Sequence, residues 1–258
     1  MQFSAAAEHY DQFMGRYVPR LATALADAAG VTAGQRVLDV GCGPGGLTSE
    51  LAARTGASNV AALDPAAQFV AACRERNPGA DVREGVAETL PWQDGDFDVT
   101  LSSLVVAFMR DADQGVREMV RVTRPGGTVA ACMWDIAGGG MTMLRLFWTA
   151  VRRIDPQAQG ERQRAGTSEG DIAERFRRAG LGDVSDGSLE VGADYSSFDD
   201  FWKPFTFAVG PAGEHLASMT GDQQAAVREA LRAELPEGRF SLPARAWYAR
   251  GVVPTSAE

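Results

Sequence analysis

The fold of this chain is decided by one stretch, Val37-Leu38-Asp39-Val40-Gly41-Cys42-Gly43-Pro44-Gly45-Gly46. An apolar run ends there and breaks into four glycines within six positions, and a helical pattern follows at once over 47–54. A strand, a glycine-rich turn and a helix N-terminus in this order are typical of an α/β fold whose backbone closely approaches a ligand. Glycine suits such a turn because a Cβ would obstruct the ligand and because tight turns often require a positive φ.

Short apolar runs alternate with helical patterns as far as Trp134. The predicted strands are Arg36–Val40, Val60–Leu63, Asp81–Gly85, Asp98–Ser102 and Thr128–Trp134, and the predicted helices are 45–55, 65–76 and 112–123. Asp113 is a candidate N-cap of the third helix. This alternation predicts a Rossmann-like, mostly parallel sheet with helices on both faces.

The pattern changes after Trp134. Gly138-Gly139-Gly140 predicts a break, a helical stretch follows over 141–154, a polar loop over 155–167 and a helix over 169–179. Two later strands, Val184–Val191 and Leu242–Val252, bring the predicted sheet to seven strands. About fifty residues of helical character separate these two strands, and we expect residues 193–240 to form a C-terminal helical cap insertion over the ligand end of the sheet.

Composition excludes several classes of protein. The chain has 258 residues, a net charge of −9 and a pI of about 4.9, which gives no support for binding a phosphate backbone. Its three cysteines are odd in number and far apart, as in a cytosolic protein with reduced thiols. Because no apolar run has the length of a membrane span, we expect a cytoplasmic monomer or homodimer without a membrane, metal or nucleic-acid partner.

The glycine spacing alone leaves two cofactors open. Gly41, Gly43 and Gly46 satisfy the dinucleotide fingerprint, and Asp64 follows Gly46 by 18 residues, which taken alone favours NAD and an oxidoreductase. Asp39 favours a different ligand. A carboxylate at the mouth of the turn would repel a pyrophosphate and attract a cationic amino group and a sulfonium.

Two further motifs narrow this choice. The segment Glu84–Trp92 precedes Phe97–Ser103, and Arg124-Pro125-Gly126-Gly127 enters the fifth predicted strand. With these motifs, residues 36–133 resemble the class I S-adenosylmethionine-dependent methyltransferases of the small-molecule type, akin to the ubiquinone/menaquinone-biosynthesis methyltransferases. Tyr10–Tyr17 resembles a leader of related enzymes, and Phe198–Phe205 with Ala244–Trp247 resembles their C-terminal portion.

The resemblance implies an enzyme that transfers a methyl group from S-adenosylmethionine to a small-molecule acceptor, as in secondary metabolism, leaving S-adenosylhomocysteine. It implies a single domain over 1–258, with a helical leader at 1–30, a cofactor-binding core at 36–134 and the cap at 193–240. An NAD-dependent oxidoreductase and a non-catalytic cofactor-binding regulatory protein remain the alternatives.

The resemblance also assigns cofactor contacts. Gly41 and Gly43, with Asp39 behind them, would hold the methionine part, and Asp64 would accept from both ribose hydroxyls. The alternative for Asp64 is a cap of the helix that begins at Pro65. The remaining assigned contacts are Pro65 next to Asp64, Ala87 and Glu88 by the adenine, and Ser103 near the methionine part or capping a turn. Arg16 would pair with the cofactor's carboxylate, or else be a solvated arginine of a surface helix, and Tyr10 would close over the methyl end. Relatives often carry Asp at the position of Val86, and valine cannot accept a hydrogen bond from the adenine amino group.

Catalysis in such an enzyme rests mainly on positioning for in-line displacement and on excluding water. The sequence identifies no catalytic residue beyond the weak candidates His9 and Tyr10. The predicted acceptor pocket is aromatic and consists of Trp134, Trp148, Phe201, Trp202, Phe205 and Phe207, which favours an apolar or aromatic acceptor. The alternative is that these side chains form the core of the cap.

Overall fold

The sheet is the frame of the molecule in a computed structural model, which describes residues 12–255. Its strands are β1 (Val37–Val40), β2 (Val60–Asp64), β3 (Asp81–Glu84), β4 (Phe97–Ser103), β5 (Thr123–Trp134), β6 (Gly182–Tyr195) and β7 (Phe240–Val252). They are ordered β3-β2-β1-β4-β5-β7-β6. Strands β1 to β5 pair in parallel, whereas β7 runs antiparallel to both β5 and β6. The predicted seven-stranded, mostly parallel sheet is confirmed.

Helices fill the connections between the strands. They are α1 (Val18–Ala28), α2 (Gly46–Thr55), α3 (Ala67–Arg76), α4 (Ala112–Val122), α5 (Thr142–Ile154), α6 (Asp171–Arg178), α7 (Phe198–Trp202), α8 (Gly210–Ser218) and α9 (Gly221–Glu234). Every residue of β1 and β2 is buried, as expected for parallel strands packed on both faces. None of the described helices combines the length and the apolar character that crossing a bilayer requires.

Two local predictions are corrected. Helix α4 is capped by Asp111, whose Oδ1 accepts from the backbone N of Gln114 at 3.0 Å. Asp113 instead pairs with Arg175 at 2.7 Å. Strand β5 begins at Thr123 and not at Thr128, so the motif Arg124-Pro125-Gly126-Gly127, which was expected to precede the strand, lies within it.

The connection between β6 and β7 runs over residues 196–239 and is helical, as predicted for a cap, although both strands are longer than the sequence indicated. We call residues 196–239 the cap segment. Phe205 in this segment stacks on Phe147 of α5 with ring centroids 4.5 Å apart. It also meets Phe13 edge-on at 5.5 Å. We call residues 12–17, which precede α1, the N-terminal segment. One aromatic core therefore joins this segment, α5 and the cap segment.

Candidate cofactor and acceptor site

A large cavity lies at the carboxyl ends of the parallel strands, where the strand order reverses between β1 and β4. This is the position at which open α/β sheets bind ligands. The cavity encloses about 1540 Å³. A pocket for one drug-sized ligand usually encloses about 300–1000 Å³. The space is therefore large enough for a cofactor and an acceptor side by side.

The glycine turn forms one wall of this cavity. Gly41 has φ +80°, and a Cβ there would lie 2.3 Å from Cγ2 of Val105. Gly43 has φ +53°, and a Cβ there would meet no heavy atom within 4 Å. Both residues need the left-handed region that glycine adopts without cost. The sequence argument attributed these glycines to the ligand, but at Gly41 the close neighbour is the protein itself.

Asp39 lies behind the turn, lines the cavity and is 1% exposed. Its Oδ2 accepts from Oγ1 of Thr48 at 2.7 Å. Burial raises the pKa of the Asp39 carboxyl to about 7, and the nearby carboxylate of Asp64 acts in the same direction. A cation bound next to it would favour the ionised form and lower this pKa.

Asp64 ends β2 and accepts two backbone hydrogen bonds. Its Oδ2 accepts from the N of Gly43 and its Oδ1 from the N of Ala66, both at 2.9 Å. Asp64 therefore connects the glycine turn to the start of α3 by hydrogen bonds. This helix begins at Ala67 and not, as predicted, at Pro65. A carboxylate offers about four acceptor sites, so these two amides leave capacity for hydroxyl donors from the cavity.

Four more of the predicted contacts lie on the cavity wall: Pro65, Ala87, Glu88 and Ser103. Oε1 of Glu88 accepts from the backbone N of Arg110 at 2.6 Å and from that of Asp111 at 3.1 Å, which holds the segment before α4. The Ser103 hydroxyl lies 3.6 Å from Sγ of Cys132. Val86 also lines the cavity and is 46% exposed.

Arg16 is engaged elsewhere. Its guanidinium forms an ion pair with the carboxylate of Asp200, with Nη1 3.0 Å from Oδ2, and lies over the ring of Tyr195. It does not line the cavity. The prediction that Arg16 meets the cofactor's carboxylate is therefore replaced by a structural contact between the N-terminal segment and α7. Tyr10 and His9 lie outside the described residues.

Of the predicted acceptor-pocket aromatics, Trp134 alone lines the cavity. Phe201 and Phe205 are fully buried in the aromatic core, and Trp202 packs beside them. Trp148 is buried, and its Nε1 donates to Oε1 of Glu161 at 3.2 Å. These residues are core, because large aromatic side chains gain most by full burial.

Sequence reasoning missed the segment that forms the outer wall. Glu161, Arg162, Arg164 and Thr167 all line the cavity, although the sequence marked 155–167 as an ordinary polar loop. Burial raises the pKa of the Glu161 carboxyl. A half-buried carboxylate with a raised pKa on a cavity wall is a candidate to take up a proton. The loop carries no periodic pattern, so only its charged residues could have drawn attention to it.

The inner end of the cavity is acidic. Its walls include the carboxylates of Asp39, Asp64 and Glu84, with Arg76 also at its edge. A cationic ligand fits this arrangement, whereas a dinucleotide pyrophosphate would be repelled by it. The residues present therefore suit S-adenosylmethionine, whose amino group and sulfonium are both positive.

Comparisons with known proteins agree with this geometry. Residues 38–131 match the family described as a methyltransferase domain. The malonyl-[acyl-carrier protein] O-methyltransferase of Enterobacter lignolyticus is 33% identical over 149 residues, which are 58% of this chain and 57% of that protein. The chain thus spans little more than half the length of this curated relative.

Solved structures show the same fold. The YcgJ protein of Bacillus subtilis superposes with a TM-score of 0.58 at 16% identity, covering 91% of this chain and 98% of that one. The Haemonchus contortus phosphoethanolamine N-methyltransferase 2, solved with S-adenosylhomocysteine, gives 0.58 at 19% identity and covers 96% of this chain and 57% of that one. Residues 38–131 thus match a methyltransferase domain, and the chain shares the fold of these solved structures.

Proposed function

We propose that this protein transfers a methyl group from S-adenosylmethionine to a small-molecule acceptor with an apolar body. One observation carries the proposal: a glycine turn backed by Asp39 and Asp64 opens into a cavity with room for a second ligand. The acidic inner wall disfavours the NAD-dependent alternative, which rests on glycine spacing alone.

The proposed cofactor contacts follow from the wall residues. Asp64 would accept from the ribose hydroxyls, and Asp39 would face the cationic methionine part beside Gly41 and Gly43. Ala87, Glu88, Pro65 and Ser103 would complete the site. When bound, the cofactor supplies a methyl group that is already activated by its sulfonium.

The chain's own residues then position the acceptor. Met133, Trp134 and Leu144, which are all buried, give the cavity an apolar wall. Orientation and exclusion of water are the main contributions that in-line displacement needs from the protein. Where the acceptor arrives protonated, Glu161 is the carboxylate that can take its proton.

Calorimetry with S-adenosylhomocysteine and with NADH tests the cofactor assignment. We expect binding of S-adenosylhomocysteine and none of NADH; tight NADH binding with no response to S-adenosylhomocysteine would overturn the proposal. Asp64→Ala should weaken S-adenosylhomocysteine binding by about tenfold or more, because lost hydrogen bonds to a charged group cost about 1.5–3 kcal/mol. Asp27→Ala, at an exposed site outside the cavity, is the control, and thermal melting shows whether each variant is folded.

Transfer itself is tested with S-adenosylmethionine and a mixed panel of small aromatic and aliphatic acceptors, followed by mass spectrometry for a gained methyl group. Methylated product from any member supports an enzyme. Bound cofactor with no product from a broad panel would favour the non-catalytic regulatory alternative.

A further inference from the structure

The mouth of the cavity carries positive charge. A second cavity of about 610 Å³ adjoins the first, and the two share Arg110, Arg162 and Arg164 on their walls. The outer end of the site is therefore lined by arginines, whereas its inner end is lined by carboxylates. This reversal of charge occurs within one connected space, in a chain whose net charge is −9.

Two of the arginines at this mouth, Arg110 and Arg162, are not neutralised by their neighbours in the described part of the chain. Arg110 and Arg162 are exposed, and neither side chain forms an ion pair or hydrogen bond within the described range 12–255. The guanidinium of Arg164 lies over the ring of Phe108, 5.7 Å from its centroid. Phe108 is itself 40% exposed on the cavity wall. The mouth thus has an exposed aromatic side chain next to a cationic group.

The carboxylates nearest to this mouth already have partners. Glu161, which also lies on the outer wall, accepts a hydrogen bond from Nε1 of Trp148 at 3.2 Å. Asp113 pairs with Arg175 at 2.7 Å and with Arg178 at 3.0 Å. Asp111 caps α4, and Glu88 accepts from two backbone amides. The positive charge of Arg110 and Arg162 is therefore available to a ligand.

We propose that the acceptor is anionic: a carboxylate or phosphate group of the acceptor binds Arg110 and Arg162 at the mouth. Its apolar body lies against Phe108 and Trp134, and its reacting atom faces the bound cofactor. Arginine suits this role because its planar guanidinium matches the oxygens of carboxylates and phosphates. This inference rests on the proposed function and adds to it the charge of the acceptor.

A matched pair of fluorescent probes tests this inference without any turnover. 1-Anilinonaphthalene-8-sulfonate has an aromatic body and one anionic group, and N-phenyl-1-naphthylamine has the same body without the charge. With protein saturated with S-adenosylhomocysteine, the anionic probe should bind about tenfold more tightly, since hydrogen bonds to charged groups are stronger than those between neutral groups. Equal binding of the two probes would overturn the inference.

Variants locate the effect. The double variant Arg110→Gln/Arg162→Gln should lose the preference for the anionic probe while still binding the neutral one. Arg239→Gln, at an exposed arginine outside both cavities, is the matched control and should keep the preference. A preference that survives the double variant, or that Arg239→Gln abolishes, would contradict the assignment to this mouth.

Competition distinguishes the two anions. Octanoate and octyl phosphate are titrated against the bound anionic probe, with octanol as the neutral reference. Stronger displacement by either anion than by octanol supports the inference and identifies the preferred group, whereas equal displacement by all three overturns it. Because S-adenosylhomocysteine binding is measured first, loss of that binding counts against the proposed function and not against the anionic mouth.

Discussion

Replacing Asp39 by asparagine isolates the cost of a buried charge. Asp39 is 1% exposed, and its pKa is raised from the ordinary 3.8 to about 7. Asparagine keeps an oxygen that can accept from Thr48 but cannot ionise. The Asp39→Asn variant therefore removes the titration and leaves the hydrogen bond in place.

The sign of the effect follows from the raised pKa. The stability that Asp39 contributes is fully present below its unfolded pKa, near 4, and is lost as the pH rises through its folded pKa, about 7. Each pKa unit corresponds to about 1.4 kcal/mol, so the full loss amounts to about 4 kcal/mol at most. The free energy of unfolding of the wild type should fall over this window relative to that of the variant.

Urea denaturation between pH 4.5 and 7 measures this difference. Asp186→Asn, at an aspartate of the sheet edge that does not line the cavity, should give a curve parallel to the wild type. Parallel curves for Asp39→Asn as well would refute the reasoning, because they would mean that the buried carboxyl does not change its ionisation in this range.

Cofactor binding should show the complementary dependence. An ammonium group next to Asp39 favours the carboxylate, so affinity for S-adenosylhomocysteine should weaken as the pH falls below 7, by up to about tenfold per pH unit. Asp39→Asn should bind more weakly at pH 8 and lose most of this dependence. Ionised Asp39 thus lowers the stability of the ligand-free protein, and a cation that binds next to it offsets this loss.

Three further predictions concern other parts of the site. The pKa of Asp200 is lowered to about 2, so its ion pair with Arg16 stabilises the fold above pH 4, and this stabilisation is lost as the pH falls toward 2. In urea denaturation at pH 7, Arg16→Gln and Asp200→Asn should each lower the free energy of unfolding by about 1–2 kcal/mol. Their effects should not add in the double variant, and the affinity for S-adenosylhomocysteine should not change. Weaker cofactor binding by Arg16→Gln alone would restore its cofactor role. Gly43→Ala should destabilise the fold by about 1 kcal/mol, because alanine is strained in the left-handed region. Gly41→Ala should destabilise it more, because its Cβ would also collide with Val105, and equal melting temperatures of the two variants would contradict this order. Glu161→Gln should remove the acidic limb of the pH profile of methyl transfer for a protonated acceptor, and an unchanged profile would exclude it as the proton acceptor.

The sheet and its glycine turn were predictable because they depend on local patterns. Buried parallel strands read as short apolar runs, and a tight turn at the end of β1 requires glycine whatever surrounds it. The sequence did not show which neighbour makes each glycine necessary. The neighbour that excludes a Cβ at Gly41 is Val105, which is 64 positions away and follows a different strand.

Contacts between distant segments explain most of the other differences. Arg16 looked like a cofactor ligand because nothing in the sequence shows that Asp200 lies beside it. Phe201 and Phe205 were consistent with either a pocket or a core. Both are fully buried, Phe205 stacks on Phe147 and Phe201 meets Phe205 edge-on, which decides in favour of the core. Composition identifies which side chains can bury apolar area but not which surface they cover.

The two ends of the cavity come from different parts of the chain. The acidic inner wall is built by residues between Asp39 and Glu84, within the span that matches the methyltransferase domain. Much of the outer wall comes from Glu161, Arg162 and Arg164, beyond that span, in a loop between α5 and α6. On the proposed function, the shared domain determines the cofactor, whereas this loop contributes to the choice of acceptor. Substitutions in the loop should therefore change which molecule is methylated and leave cofactor affinity unaltered.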